Sequence, residues 1–321
     1  MAVTTAESEM RRESYWAQRI NLLRLDPLHC RWNTVMMFLA PALLMYTAFT
    51  AYPVLRTFYN SFHRIKPGGA DVFVGLANFS ELFTRDPTFW TAVKNTMIWA
   101  TVQPCIEIGL GLLLAICLYA KVPFARIFRV LWFTPVLLSY VVVGIIWMWI
   151  YNYDWGILNG LLRWIGLDAL AHTWVGDPKT ALWSVMFTQI WMWTGFNMVV
   201  SLAAVSALPA EVLEAAELDN CGWMKKLFFV IIPMLRPTLL NLLILSFMGK
   251  MKIFDLVWIM TGGGPLWSTE TVATYVYKRA FDWNTFDLGY PSTIATVWFA
   301  VVLTFVLTLH LLLRQRDKLE Y

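Results

Sequence analysis

Residues 214–233 read EAAELDNCGWMKKLFFVIIP, and they interrupt a chain that is otherwise strongly apolar. Acidic residues recur at every third position through Glu211, Glu214 and Glu217, and the residues between them are apolar or small. A helix with this pattern carries an acidic edge beside an apolar face. Asn220 or Gly222 can then adopt the left-handed backbone that stops a helix. The stretch therefore predicts a short helix, a tight turn and a second short helix that ends at Pro233.

The composition around this stretch is that of a membrane protein. Of the 321 residues, 59% are hydrophobic and 14% are charged, whereas soluble proteins carry about 25% charged residues. The net charge of +4 is small, and the basic residues flank apolar runs instead of forming one continuous face. This distribution indicates membrane topology and argues against nucleic acid as a partner.

Six apolar runs are long enough to cross a bilayer, whose hydrocarbon core of about 30 Å requires roughly 20 helical residues. We therefore predict an all-α integral membrane protein with six transmembrane helices. The runs lie near residues 35–57, 95–120, 128–151, 181–206, 238–261 and 289–313.

The basic residues also predict the orientation of these helices. Lys and Arg are concentrated in the tails, residues 1–32 and 314–321, and in the loops 121–129 and 207–237. Because cytoplasmic segments carry an excess of Lys and Arg, we expect both termini to be cytoplasmic, on either side of a membrane domain at 33–313. The opening stretch then lies in the cytoplasmic loop 207–237, between the fourth and fifth membrane helices.

Sequence motifs for catalysis or nucleotide binding are absent. There is no GxxxxGK[ST] phosphate loop, so we expect this chain not to bind ATP. The histidines are far apart in the sequence, and neither HExxH nor GxSxG occurs. The sequence therefore predicts no catalytic residue, no metal site and no cofactor in this chain.

Four charged residues fall in the middle of predicted membrane helices: Glu107 in the second, and Lys250, Lys252 and Asp255 in the fifth. A charge at the bilayer centre costs roughly 2.5–3.5 kcal/mol unless it faces protein or water, so these helices should line an interior. Lys252 and Asp255 have the i, i+3 spacing of a helical ion pair, which we expect them to form. Lys250 has two open interpretations: an ion pair with Glu107, or a position facing a polar passage. A proton relay through Glu107 is a third interpretation of these membrane charges.

The opening stretch resembles the EAA loop of permease subunits in binding-protein-dependent ABC importers. That motif reads E-A-A, three residues, G, nine residues, I-x-L-P. Glu214, Ala215 and Ala216 match its start, and Pro233 lies at the required distance. Asn220 takes the position of the family glycine, while Val230 and Ile232 take those of its isoleucine and leucine.

Further motifs resemble the carbohydrate-uptake branch of this family, and in particular the larger maltose permease subunit without its extra N-terminal helices. The likeness covers roughly residues 33–313. It is carried by FLAPALLMYTAFTAYP at 38–53, FVGLANF at 73–79, DPTFW at 86–90, TGGGP at 261–265 and K-x-F-D at 252–255.

The resemblance implies the type I ABC importer permease fold and a multi-pass position in a bacterial or archaeal plasma (inner) membrane. It also implies a second similar permease subunit, an ATPase dimer that binds ATP and Mg, and an extracellular or periplasmic sugar-binding protein. The acidic loop would be the coupling helix that the ATPase grips, and replacing Ala216 by a bulky residue or Glu214 by lysine should abolish ATP-coupled uptake. The residues implied in ATPase coupling are Glu214, Ala215, Ala216, Asp219, Asn220 and Gly222.

The same resemblance implies a sugar pocket on the fourth and fifth membrane helices. Aromatic faces would contact sugar C–H groups, and polar side chains would contact hydroxyl groups. Lys250 departs from the neutral amide of the maltose relative. The implied substrate-binding residues are Gln189, Met192, Trp193, Phe196, Ser246, Gly249, Lys250 and Ile253.

The main hypothesis is therefore one half of the pathway of an ATP-driven sugar importer. Two alternatives stay open. One is an ABC permease for glycerol phosphate or another polyol-type solute, for which Lys250 would supply positive charge. The other, from a different class, is a stand-alone proton-coupled carrier or intramembrane enzyme that uses Glu107.

Overall fold

The computed structural model describes residues 32–65, 71–120, 122–282 and 287–314. Nearly all of the two predicted tails lies outside these residues, so the side of the membrane on which the termini lie stays a prediction. The chain divides into two compact units, of which the first ends at Arg56.

The first unit contains helix α1 (Trp32–Tyr46), which continues through a π-helical turn at Thr47–Ala51 into α2 (Tyr52–Ser61). Helix α2 runs on into the second unit. The continuous helical segment Val35–Ser61 is long and apolar enough to cross a membrane. Pro41 lies inside it, as membrane helices tolerate when neighbouring groups satisfy the backbone.

After the end of α2, the second unit contains a short antiparallel hairpin, in which His63 pairs with Phe73 and Arg64 with Val72. Its other described elements are helices and helical turns. Its elements are β1 (His63–Arg64), β2 (Val72–Phe73), α3 (Ala77–Arg85), α4 (Pro87–Tyr119), α5 (Ala125–Leu137), α6 (Tyr140–Ile150), α7 (Ile157–Trp164), α8 (Ala181–Ser206), α9 (Ala210–Leu218), α10 (Trp223–Lys226), α11 (Ile232–Lys250), α12 (Asp255–Met260), α13 (Val272–Tyr277) and α14 (Gly289–Arg314). Short 3₁₀ and π-helical turns lie at Asp168–Leu170, Leu227–Ile231 and Lys278–Asp282.

Four segments of the described chain are each long and apolar enough to span a membrane: Val35–Ser61, Pro87–Tyr119, Trp223–Lys250 and Gly289–Thr308. Two bent pairs raise the number to six if each is one span. Helices α5 and α6 meet at 105°, and α8 meets the start of α9 at 83°. Pro135 lies near the end of α5, and the Ser139 hydroxyl caps α6 by accepting from the Val142 N–H at 3.4 Å.

The fifth span corrects two expectations from the sequence. It occupies Trp223–Lys250, not 238–261, and the chain does not stop being helical at Pro233. A π-helical turn, Leu227–Ile231, joins the short α10 to α11, and Pro233 falls in the first turn of α11, where its missing N–H is tolerated. The helix instead ends at Lys250, before the separate helix α12.

Helix α8 lies at the centre of the second unit and packs against α4, α5 and α11. Two glycines permit these close approaches. A Cβ on Gly111 of α4 would lie 2.6 Å from the Cβ of Asn197, and one on Gly195 of α8 would lie 1.8 Å from the Trp132 carbonyl oxygen. Small residues at such crossings are typical of membrane helices, because dispersion contacts hold these helices together.

A buried carboxylate at the start of α4 joins three elements. Asp86 caps α4 by accepting from the Phe89 N–H at 3.0 Å, and it also accepts from the hydroxyls of Tyr275 at 2.5 Å and Tyr290 at 2.6 Å. The Arg279 guanidinium lies 3.7 Å from Asp86. Burial, together with the hydrogen bond to Asp86, raises the pKa of Tyr275, so its hydroxyl keeps the proton that it donates. This cluster fixes α13 and α14 to α4.

Candidate functional site

The predicted coupling segment folds as a short helix with two different faces. Helix α9 (Ala210–Leu218) leaves α8 at a sharp angle. Leu213 is buried in an apolar cluster with Leu112 and Val205, and Ala216 is also buried. Glu214 and Ala215 lie on the exposed face.

This placement separates the two alanines of the predicted motif. Ala216 is only 8% exposed and faces its own chain, whereas Ala215 is exposed. Of the two alanines implied in ATPase coupling, Ala215 therefore lies on the exposed face and Ala216 is buried within this chain. The side chain of Glu217 lies outside the part of the chain that the structure describes.

The turn after α9 is made by Asn220. Its φ of 52° lies in the left-handed region, while Gly222 is extended, with φ of −56° and ψ of 155°. The Cys221 N–H donates to the Ala216 carbonyl at 3.0 Å, which is the 6→1 bond of a Schellman motif. Of the two residues that the sequence offered, Asn220 thus stops the helix. Asp219 and Asn220 are exposed beside it.

A second feature is a cavity of about 300 Å³ in the membrane region. Helices α4, α6, α8 and α11 line it, together with the residues that follow the end of α11. Seven of the eight residues implied in sugar binding lie on its wall. The exception is Met192, which is 2% exposed and packs in the adjacent apolar core. The wall residues are Glu107, Tyr140, Gln189, Trp193, Phe196, Asn197, Leu242, Leu245, Ser246, Gly249, Lys250, Lys252, Ile253 and Asp255.

An ion pair crosses the cavity wall between α4 and α11. The Lys250 Nζ lies 3.4 Å from Glu107 Oε2, and both side chains are almost completely buried. Glu107 also accepts from Gln103 Nε2 at 3.0 Å and from the Ser246 hydroxyl. Of the interpretations that the sequence left open for Lys250, the structure combines two: Lys250 pairs with Glu107 and also lines the cavity.

The prediction of an ion pair between Lys252 and Asp255 is wrong. No salt bridge joins Lys252 to Asp255 in the described residues, and both side chains are exposed on the cavity wall. The i, i+3 rule requires a continuous helix. Helix α11 ends at Lys250 and α12 begins at Asp255, so the two residues do not share a helical face.

Aromatic side chains form much of the remaining wall. The Lys250 ammonium lies over the Trp193 ring, 5.0 Å from the ring centroid. Trp193 Nε1 donates to the Tyr140 hydroxyl at 3.0 Å. Phe196 contacts Trp193 edge to face, with 5.7 Å between ring centroids, and is 36% exposed. Gln189 is oriented by Trp99, whose Nε1 donates to Gln189 Oε1 at 2.8 Å.

Sequence reasoning missed two polar residues of this wall, Tyr140 and Asn197. The spacing along α8 could have indicated Asn197, because it lies one helical turn beyond Trp193. Tyr140 carries no comparable local signal, since it reaches the cavity only through the bend between α5 and α6. Among the described residues, no group of three His, Cys, Asp or Glu side chains could hold a metal ion.

Comparison with known proteins shows the family of this chain. Residues 107–317 match the family described as the inner membrane component of binding-protein-dependent transport systems. A probable ABC transporter permease protein of Pyrococcus horikoshii is 34% identical over 276 residues, which are 85% of this chain and 93% of that protein. A lactose transport system permease protein of Rhizobium radiobacter is 33% identical, over 81% of this chain and 87% of that protein. An arabinooligosaccharides transport system permease protein of Bacillus subtilis is 32% identical, over 83% of this chain and 84% of that protein.

The fold also matches a solved structure. A chain from the crystal structure of a bacterial alginate ABC transporter, in complex with an alginate pentasaccharide-bound periplasmic protein, superposes with a TM-score of 0.78. The match covers 92% of this chain and 99% of that chain at 20% sequence identity, so the likeness is one of fold: the type I ABC importer permease fold. This chain belongs to the family of inner membrane components of binding-protein-dependent transport systems, and it is a multi-pass permease subunit rather than an enzyme.

Proposed function

We propose that this chain forms half of the translocation pathway of an ATP-driven importer for mono- or oligosaccharides. The observation that carries the proposal is the membrane cavity, because it gathers Gln189, Trp193, Phe196, Ser246 and Lys250 from two helices. Aromatic faces beside hydroxyl, amide and ammonium groups are the surface that a sugar requires. The transport of lactose and of arabinooligosaccharides by similar permeases supports the same substrate class.

In this proposal, a second permease subunit completes the pathway. The cavity wall includes Phe196, which is 36% exposed, and Leu245, which is 64% exposed, beside the charged Lys252 and Asp255. Charged residues at membrane depth are tolerated next to protein or water. A similar but distinct permease covering this face would enclose the sugar between the two chains, and a binding protein would deliver it.

Helix α9 is the part of this chain that would contact the ATPase subunits, which bind ATP and Mg. Its exposed face offers Glu214 and Ala215, and the turn at Asp219 and Asn220 closes it. Gly222, whose backbone is extended, then leads into α10. Because Leu213 packs in a cluster with residues of α4, α8 and α11, movement of α9 by a partner would be transmitted to those helices.

The experiment is uptake of radiolabelled sugars into proteoliposomes that contain the complete transporter, with and without ATP. We expect the wild-type protein to import a neutral sugar only with ATP and binding protein present. Glu214→Lys should lower uptake at least tenfold without changing the amount of protein in the membrane. Glu81→Lys reverses an exposed acidic residue outside α9 and should transport normally. Normal uptake by Glu214→Lys, or ATP-independent uptake by the purified chain alone, would contradict the proposal.

Two alternatives have less support. A permease for glycerol phosphate or another polyol-type solute would use the positive charge of Lys250, but that ammonium already has Glu107 as its counter-ion at 3.4 Å. A stand-alone proton-coupled carrier or intramembrane enzyme would use Glu107, which is engaged in the same pair. Competition between anionic and neutral solutes separates the first alternative from the main proposal, and ATP dependence separates the second.

A further inference from the structure

The charges on the cavity wall balance one another. Four ionisable residues lie there: Glu107 and Asp255 are acidic, and Lys250 and Lys252 are basic. The part of the wall that this chain contributes therefore has no net charge. Its remaining polar groups, which include Tyr140, are neutral hydroxyls and amides.

The two buried charges are already satisfied inside the protein. Glu107 receives hydrogen bonds from Gln103 and Ser246 besides its ion pair with Lys250. The Lys250 ammonium is held between that carboxylate and the Trp193 ring. A buried ion pair is stable while both partners stay, and removing one partner leaves an uncompensated charge. At Lys250 a ligand thus meets an ammonium that is already paired, whereas Lys252 and Asp255 are exposed elsewhere on the wall.

This arrangement penalises ligands of either charge. An anionic group close enough to attract Lys250 is also close to Glu107, since the two charged groups are 3.4 Å apart. The attraction and the repulsion largely cancel, while the cost of taking the ionic group out of water remains. A cationic group meets the converse situation. A neutral hydroxyl pays no such cost and can accept a hydrogen bond from Lys250 or exchange one with Ser246 or Tyr140.

We propose that the Glu107–Lys250 pair makes this cavity select uncharged sugars over sugars that carry a carboxylate, a sulfonate or an ammonium group. The inference rests on the proposed function, because it assumes that sugars enter this cavity. The pair acts as a charge filter: the presence of both charges, and not of Lys250 alone, sets the preference.

The probes are D-galactose, D-galacturonate and D-galactosamine, which share one ring and differ in charge. Their binding to the assembled transporter, purified without its binding protein, is measured by saturation-transfer difference NMR in slightly acidic buffer, where the amine is protonated. The wild-type protein should bind galactose at least tenfold more tightly than either charged probe. This first test needs no substituted protein, so it does not depend on the folding of a variant.

Substitutions then assign the preference to the pair. Glu107→Gln leaves Lys250 uncompensated and should shift the galacturonate-to-galactose affinity ratio about tenfold toward galacturonate. Lys250→Gln should shift the galactosamine-to-galactose ratio about tenfold toward galactosamine. The double variant Glu107→Gln/Lys250→Gln should return to the wild-type ranking. Glu81→Gln changes the net charge equally and breaks an exposed ion pair with Arg64 outside the cavity, so it should change neither ratio.

Three outcomes would overturn the inference. The first is tighter binding of galacturonate or galactosamine than of galactose by the wild-type protein. The second is an unchanged ratio in both single variants. The third is an equal shift in Glu81→Gln. Galactose binding with unchanged ratios would remove the charge filter and leave the proposed sugar site standing, whereas binding of none of the three probes to the wild-type protein, together with no ATP-dependent sugar uptake by the complete transporter, would refute both.

Discussion

The backbone N–H of Cys221 donates a hydrogen bond to the carbonyl oxygen of Ala216 across 3.0 Å. This bond closes the end of α9, and it forms because Asn220 between them holds a left-handed backbone with φ of 52°. The end of α9 therefore depends on Asn220, a residue that is neither acidic nor buried.

Substitution of Asn220 should affect coupling according to the backbone that each residue tolerates. Asn220→Val places a β-branched residue at positive φ, which costs roughly 1–2 kcal/mol, so the turn should loosen and ATP hydrolysis stimulated by the binding protein should fall. Asn220→Gly adopts the same φ without strain and should keep full activity. Both variants are compared in proteoliposomes, and equal activity would refute the role of this turn.

Replacement of Gly263 should lower the stability of the protein for steric reasons. A Cβ there would lie 2.0 Å from Glu270 Oε2 and 2.7 Å from Lys278 Nζ, the members of a buried ion pair. Gly263→Ala should therefore displace both side chains of that pair and lower the melting temperature in detergent.

Gly262→Ala is the matched control for this prediction. Gly262 also has positive φ, but the nearest atom to its Cβ would be 4.0 Å away. Only backbone strain of roughly 1–2 kcal/mol is expected. Equal melting temperatures of the two variants would contradict the steric argument.

Substitutions in the Asp86 cluster should lower the free energy of unfolding by more when they remove more hydrogen bonds. Tyr290→Phe deletes one hydrogen bond to a carboxylate and should cost roughly 1.5–3 kcal/mol. Asp86→Ala should cost more, because it leaves two tyrosine hydroxyls and Arg279 without the carboxylate that they share. Thermal unfolding followed by intrinsic fluorescence measures both, and a larger loss in Tyr290→Phe would contradict this ranking.

Substitutions at two neighbouring residues of α8 should affect sugar binding and protein stability separately. Trp193 lines the cavity, whereas Met192 packs in the core. Trp193→Ala should raise the half-saturating sugar concentration at least tenfold while the protein stays folded. The volume-conserving Met192→Leu should cost less than about 1.5 kcal/mol and leave that concentration unchanged. A higher half-saturating concentration for Met192→Leu than for Trp193→Ala would mean that the cavity is not the sugar site.

The sequence predicted the membrane class, the existence of α9 and the residues able to end it. These features depend on local chemistry: the length of an apolar run sets whether it can cross a bilayer, and few residues accept positive φ. Local rules failed where the chain departs from regular helix. The fifth span continues as helix through the π-helical turn at Leu227–Ile231 and past Pro233. Because α11 ends at Lys250, Lys252 and Asp255 do not lie on one continuous helix.

Only the tertiary structure decided which side chains meet. Glu107 and Lys250 lie on different helices, and nothing in the residues around either one selects the other. Their pairing follows from the way α4 and α11 pack around α8, as does the division of the coupling helix into a buried Ala216 and an exposed Ala215. Apolar length is a property of one segment, whereas a buried ion pair is a property of two segments brought together, so the sequence alone could determine the first and not the second.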